Sequence, residues 1–253
     1  MTRLQGMFLQ RNPLRILFRV ICMRKNWLCI YLIGISTALL LIFATDRAAS
    51  TMSSGGMVYG RKTIILDAGH GGIDGGAISC TGELESKINM QITEKLRDLF
   101  HLMGYQTLMI RDSNISVHTN GETIAQKKIS DLKERVRIVN SQKDAILISI
   151  HQNTFPEEYY SGSQVFYAKT AGSDELAKSL QGSLVKNIAP DNKRKSKQGS
   201  GIFLLDHINK TGVLIECGFL SNREEEARLS DHEYQKKLCA SICVAVCGFL
   251  TNT

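Results

Sequence analysis

Beyond about residue 60 the chain repeats one rhythm: a short apolar run of strand length, then a polar segment with apolar residues every three or four positions. Lys62 to Asp67 (KTIILD) predicts a strand. Leu84, Ile88, Ile92, Leu96, Leu99 and Met103 follow at helical spacing, and Gly104 stands where a glycine commonly ends a helix. Tyr105 to Ile110 (YQTLMI) predicts the next strand, and Ile129, Leu132, Val136 and Val139 mark the inner face of the next helix. Ala145 to Ile150 (AILISI) is almost continuously apolar, the pattern of a strand covered on both faces. Ser163 to Ala168 predicts a strand and Leu176, Leu180, Leu184 and Ile188 a helix. Strands follow near Ile202 to Leu205 and Val213 to Glu216, with a last helix from about Tyr234 to Leu250. Strands alternating with helices imply an α/β fold of three layers, a mostly parallel sheet with helices on both faces, and no internal repeat interrupts it.

The first part of the chain does not share this rhythm. Leu28 to Ala44 (LCIYLIGISTALLLIFA) contains no charge and approaches the length of a membrane span. Arg3, Arg11, Arg15, Arg19, Arg24 and Lys25 precede it, and no Asp or Glu occurs before Asp46. This one-sided charge keeps the N-terminus cytoplasmic and exports the rest. Residues 1–27 therefore read as a basic cytoplasmic end, 28–44 as a signal or membrane segment, with an uncleaved anchor the preferred form, 45–60 as a small, polar linker and 61–253 as the folded domain.

Charge bears on partners only once it is divided. The chain has 253 residues and a formal charge of +7, but six of its 31 Lys and Arg lie before residue 28; the remaining 25 face 24 Asp and Glu, leaving the exported part at +1. That excludes a nucleic-acid partner held by a broadly basic face. Only Lys193 to Lys197 (KRKSK) is locally basic, the composition of a solvated loop. Seven cysteines occur without a CxxC, which argues against a thiolate metal site. Cys239, Cys243 and Cys247 repeat every four residues, as small hydrophobes on one helix face would.

Ligands gather at the carboxyl ends of strands in open α/β sheets. Four chemically capable side chains fall there: His70 three residues past the first strand, His151 directly after Ile150, Glu216 at the end of VLIE, and Glu85 in the first turn of the first helix. Two imidazoles and a carboxylate form a common zinc set with a fourth position left for water, and the remaining carboxylate is then free to act as a base. Gly69, Gly71, Gly72, Gly75 and Gly76 surround His70 and permit close backbone approach. Taken singly, each residue has an ordinary alternative: a surface histidine, a first-turn acid favoured by the helix dipole, or, for Glu216, a structural ion pair. Among the other histidines only His207 is placed to line the same crevice.

Four separated motifs then resemble one family. ILDAGHGGIDGGA (Ile65 to Ala77), G-x-x-E followed by I-N-M (Gly82 to Met90), SIHQN (Ser149 to Asn153) and LIECGFLSN (Leu214 to Asn222) make the chain from about Thr63 to Leu250 similar to the zinc-dependent N-acetylmuramoyl-L-alanine amidases of bacterial cell-wall turnover. The resemblance implies about six strands, one zinc ion on His70, Glu85 and His151, Glu216 as the catalytic glutamate, and cleavage of the amide between the lactyl group of N-acetylmuramic acid and L-alanine in peptidoglycan. It also implies supporting roles for Arg111, Arg135, Asn140, Asn153 and Asn222. Two positions depart from the family pattern: Ser86 precedes Lys87 where lysine usually follows the ligand glutamate, and Gln152, expected to adjoin the metal, replaces an alanine. The layout, with an N-terminal apolar segment and no wall-binding repeat, resembles the sporulation amidases of the spore cortex, and some family members need an exported activator protein. The competing readings are another zinc hydrolase of the wall, a carboxypeptidase or deacetylase, and a non-catalytic wall-binding module.

Overall fold

The computed structural model describes residues 62–252, so the basic end, the apolar segment and the linker lie outside the described residues. Among the described residues no helix is long and apolar enough to cross a membrane.

The strands are β1 (Thr63–Ala68), β2 (Thr107–Met109), β3 (Ala145–Asn153), β4 (Gln164–Tyr167), β5 (Lys197–Gln198) and β6 (Thr211–Phe219). They form one six-stranded mixed sheet in the order β2-β1-β3-β6-β4-β5. The first four run parallel; β4 is antiparallel to β6, and β5 is parallel to β4. The helices are α1 (Glu85–Leu102), α2 (Ile124–Ser141), α3 (Ser173–Asn187), α4 (Phe203–His207), α5 (Arg223–Ser230) and α6 (His232–Thr251).

Continuous apolar runs form the central strands because both faces are covered. On one face Ile64, Leu66, Ile146, Ile148, Ile150, Val213 and Ile215 pack against α1, α3 and α6. On the other, Ile65, Leu147 and Leu214 meet α2 and α4. Cys239 and Cys243 are buried and Cys247 packs beside them, behaving as the small hydrophobes their spacing predicts. Gly104, at φ +83°, follows the end of α1 in the left-handed conformation expected there.

Two expectations are corrected and one helix is added. Ile202 to Leu205 is not a strand: Gly201 turns the chain at φ +86°, the segment closes as α4, and β5 lies earlier at Lys197–Gln198. A four-residue apolar run satisfies either period, and here Leu204 and Leu205 reach the core from a helical turn. The inner face of α2 is rotated from the predicted one. Ile129 is 52% exposed, whereas Arg135 is 2% exposed and Asp131 is also buried. Charged groups on the sheet opposite select that face. Finally, α5 was not predicted, because Arg223–Ser230 has one buried aliphatic side chain, Leu229, and turns Glu225 and Glu226 inward.

Candidate active site and metal centre

The loop leaving β1 is gripped from both sides before it reaches His70. Arg111 donates to the carbonyls of Ala68 (2.7 Å), Gly69 (3.1 Å) and Ser86 (2.9 Å). Arg135 donates to those of Ala68 (3.1 Å) and His70 (2.7 Å), and pairs with Asp67 and Asp131. Two buried guanidinium groups thus use the loop's carbonyls as acceptors and hold His70 at φ +61°, a conformation a non-glycine residue keeps only when its surroundings enforce it. Two glycines are required by contact. A Cβ on Gly69 would lie 2.2 Å from the His151 ring, and one on Gly76 would lie 2.5 Å from Glu85 Oε2.

The first turn of α1 then brings Glu85 between the two imidazoles. Its Oε2 lies 3.2 Å from His70 Nε2 and its Oε1 3.0 Å from His151 Nδ1. One donor atom from each of the three residues lies within 4.8 Å of the others. Two ligands on one tetrahedral zinc at the usual bond lengths stand about 3.4 Å apart, so this donor set and its spacing fit the ion. Glu85 is further oriented by Ala77 N (2.9 Å), Gln152 N (3.1 Å) and Asn89 Nδ2 (3.2 Å). Burial opposes its charge, but hydrogen bonds and charge from His151 and His70 hold its pKa far below the ordinary glutamate value. For His70, burial favours the neutral ring, yet Glu85 and Asp74 outweigh it and lift the pKa to about 9.

Asp74 is the residue that sequence reasoning missed. Its Oδ2 lies 2.8 Å from His70 Nδ1 and its Oδ1 accepts from Lys128 Nζ at 2.8 Å. A carboxylate on the outward nitrogen fixes the ring so that Nε2 faces the centre, the support that metal-ligating histidines commonly have. The available signal was an acid four residues after the histidine in the same glycine-rich loop.

Glu216 sits on β6 directly beside His151 on β3. Its Oε2 is enclosed and has no hydrogen-bond partner. Burial pushes its pKa up to about 7; His151 and His70 lower it, while Glu85 adds to the rise. A carboxyl group that exchanges protons near neutrality therefore stands at the edge of the donor cluster.

The remaining expected residues divide. Arg111 and Arg135 support the site as described. Asn222 caps α5, accepting from Glu224 N and Glu225 N, and Asn153 O accepts from Leu220 N at 2.8 Å, so both secure loops beside β6. Asn140 and His207 do not belong to the site: Asn140 Nδ2 donates to His207 O and Asn140 Oδ1 accepts from Asn209 N, just before β6 begins, at the opposite end of the sheet. Gln152 turns its side chain to Asn89 on α1 (3.1 Å) and touches the donor cluster only through its backbone N–H. Ser86 is buried under Arg111, and Lys87 pairs with Glu83.

Residues 64–248 match the N-acetylmuramoyl-L-alanine amidase family. The chain is similar to the germination-specific N-acetylmuramoyl-L-alanine amidase of Bacillus subtilis, 36% identical over 194 residues that cover 76% of this chain and 81% of that protein. It is also similar to the amidase LytC of Bacillus subtilis, 26% identical over 72% of this chain and 34% of that protein. Among solved structures, the CwlD amidase of Clostridioides difficile in complex with the GerS lipoprotein matches with a TM-score of 0.73 at 38% identity, covering 76% of this chain and all 100% of that one.

Proposed function

The chain belongs to the N-acetylmuramoyl-L-alanine amidase family, and from that premise we propose how its residues perform the reaction: His70, Glu85 and His151 hold one zinc ion, and Glu216 moves the proton. The reaction is hydrolysis of the amide joining the lactyl group of N-acetylmuramic acid to L-alanine in peptidoglycan, which sets aside the carboxypeptidase, deacetylase and non-catalytic readings. One observation supports the assignment above all others: three donor atoms converge within 4.8 Å beside a carboxylate whose inner oxygen has no partner.

Zinc held by His70, Glu85 and His151 would supply Lewis acidity at this position. The protein's own groups do the rest. Glu85 contributes the negative charge of the site, and Asp74 keeps His70 in the required orientation. Glu216 Oε2 accepts a proton from the water that attacks the carbonyl carbon. When the C–N bond breaks, the same carboxyl group returns that proton to the L-alanine nitrogen, a transfer suited to a buried carboxyl group whose desolvation favours its protonated form.

The germination-specific relative supports work on the spore cortex, and the neighbour solved with GerS supports an exported partner protein for this chain. The cell-wall substrate lies outside the cytoplasm, and residues 28–44 are the proposed anchor.

Digestion of muropeptides by the purified chain should release new L-alanine amino termini. His151→Ala should lose zinc. Glu216→Gln should keep fold and zinc but fall about 10²- to 10⁴-fold in turnover. Stoichiometric zinc in alanine variants at all three ligand positions, or near wild-type turnover in Glu216→Gln, would overturn the assignment. Protease added to intact protoplasts should digest the folded domain; protection until lysis would refute the anchor topology.

A further inference from the structure

The basic stretch Lys193 to Lys197 is distant from Glu216 in sequence and adjacent to it in the fold. Gln164 on β4 is the register partner of Glu216, and its side-chain amide donates to the carbonyl of Lys195. Asn192 ties the same loop to Ser163 O at 2.8 Å. The stretch is therefore pinned beside the carboxylate that protonates the leaving nitrogen.

Within it Arg194 makes two contacts. Its guanidinium carbon stands 5.0 Å over the ring of Phe219, three residues beyond Glu216, and its Nε donates to Ser161 O at 3.3 Å. The two terminal nitrogens have no hydrogen-bond partner among the described residues. Arg194 borders a cavity of about 600 Å³ that Lys193, Arg228, Asp191 and Glu225 also line. Glu225 feels the charge of Arg194 but forms no ion pair with it within 4 Å, and its carboxylate oxygens accept from Gly162 N (2.9 Å) and Phe219 N (2.8 Å). Arg228 is already engaged with Glu224. An arginine braced on an aromatic ring with its fork unspent is a receptor for a planar carboxylate.

The order of groups across the sheet gives the substrate a direction. The metal-ligand residues belong to the β1 and β3 side, Glu216 to β6, and Arg194 to the far side next to β4 and β5. Because Glu216 delivers its proton to the nitrogen that leaves with the peptide, the peptide lies on the Arg194 side and the sugar on the β1 side. Adjacent strands are about 4.8 Å apart and an extended chain spans about 3.4 Å per residue, so the second or third residue after the cut reaches Arg194. A carboxylate carried on that stretch of the stem peptide would meet the guanidinium there.

We infer that Arg194 is the carboxylate receptor for the acidic stem peptide, a specificity residue of the amidase reaction; the inference rests on Glu216 being the proton donor. Two muropeptides tested with the full chain decide it, one with a free carboxylate on the second stem residue and one with that carboxylate amidated. Arg194→Ala should raise KM about tenfold on the free carboxylate with kcat nearly kept, and leave the amidated substrate unchanged. Arg194→Lys should recover part of the difference, and matching thermal melts should show that both variants fold. Equal effects on both substrates, or none on either, would overturn the inference. Titration of the free stem peptide into the protein reads Arg194 without turnover: affinity should fall about tenfold in Arg194→Ala, and equal affinity refutes the role. A wild-type chain that binds the peptide but cuts neither muropeptide breaks the reaction assignment and leaves the Arg194 assignment standing.

Discussion

The two faces of the sheet are built differently. Under α1, α3 and α6 the interior is mainly aliphatic, with Ile88, Ile92, Leu96 and Phe100 of α1 against Leu66 and Ile148. Under α2 the apolar packing of Ile65, Leu147 and Val139 gives way toward the carboxyl end to charge. There Asp67 and Ser149, partners across β1 and β3, share a 2.6 Å hydrogen bond, and Arg135 joins Asp67 to Asp131, which itself accepts from Ser116 Oγ and Val117 N at 2.7 Å. The first face supplies stability through buried area. The second uses a fully paired ionic network to hold the carbonyls of Ala68 and His70, so its damage should reach the proposed metal centre as well as the fold.

Arg135→Met tests this most severely. It leaves Asp67 and Asp131 buried without their cation and should destabilise by about 3–5 kcal/mol. It should also weaken zinc binding roughly 10- to 100-fold, the usual consequence of losing a group that positions ligands. Leu96→Ala on the other face should lose about 2–5 kcal/mol, with zinc stoichiometry intact in the folded fraction. Chemical denaturation beside metal analysis separates the two. Equal zinc retention would erase the distinction between the faces.

Acid sharpens the same contrast. Burial acts to raise the Asp67 pKa, but Arg135 and Ser149 overcome it and hold the carboxyl below its ordinary value. With the folded pKa below the unfolded one, the stabilisation is fully present above about pH 4 to 5 and is lost as pH falls through the folded value. In Arg135→Met the sign reverses, since a buried unpaired carboxylate gains by taking a proton. The stability gap between wild type and variant should therefore narrow from pH 7 to pH 4.5, as read by urea unfolding; a constant gap would show that Asp67 is not its source.

Two glycines give smaller effects of opposite sign. Gly69→Ala drives a Cβ into the His151 ring and should cost about 1–3 kcal/mol together with zinc. Gly182, in the exposed middle of α3, has nothing within 4 Å of a built Cβ, so Gly182→Ala should raise stability by about 0.5–1 kcal/mol without touching activity. Thermal melts check both.

What the sequence determined by itself was whatever repeats locally or stands at a strand end. Continuous apolar runs marked β1, β3 and β6, 3.6-residue spacing marked α1, α3 and α6, and His70, His151, Glu216 and Glu85 stood out because each follows, ends or begins such an element. Tertiary structure decided what depends on the element opposite. The inward turn of Asp131 and Arg135 on α2 requires Asp67 and Ser149 across the interface, and a helical pattern of aliphatic residues cannot announce a polar partner. The reversal of β4, which brings Gln164 beside Glu216 and the basic loop beside both, follows from sheet order, which has no local signature. Asn140 and His207 carry reactive groups yet lie at the amino end of the strands, because α2 and β6 run in opposite directions along the sheet and the segment between α4 and β6 meets the end of α2 there. Residue type limits the chemistry a position can perform; the end of the sheet at which the chain delivers it determines whether that chemistry is used.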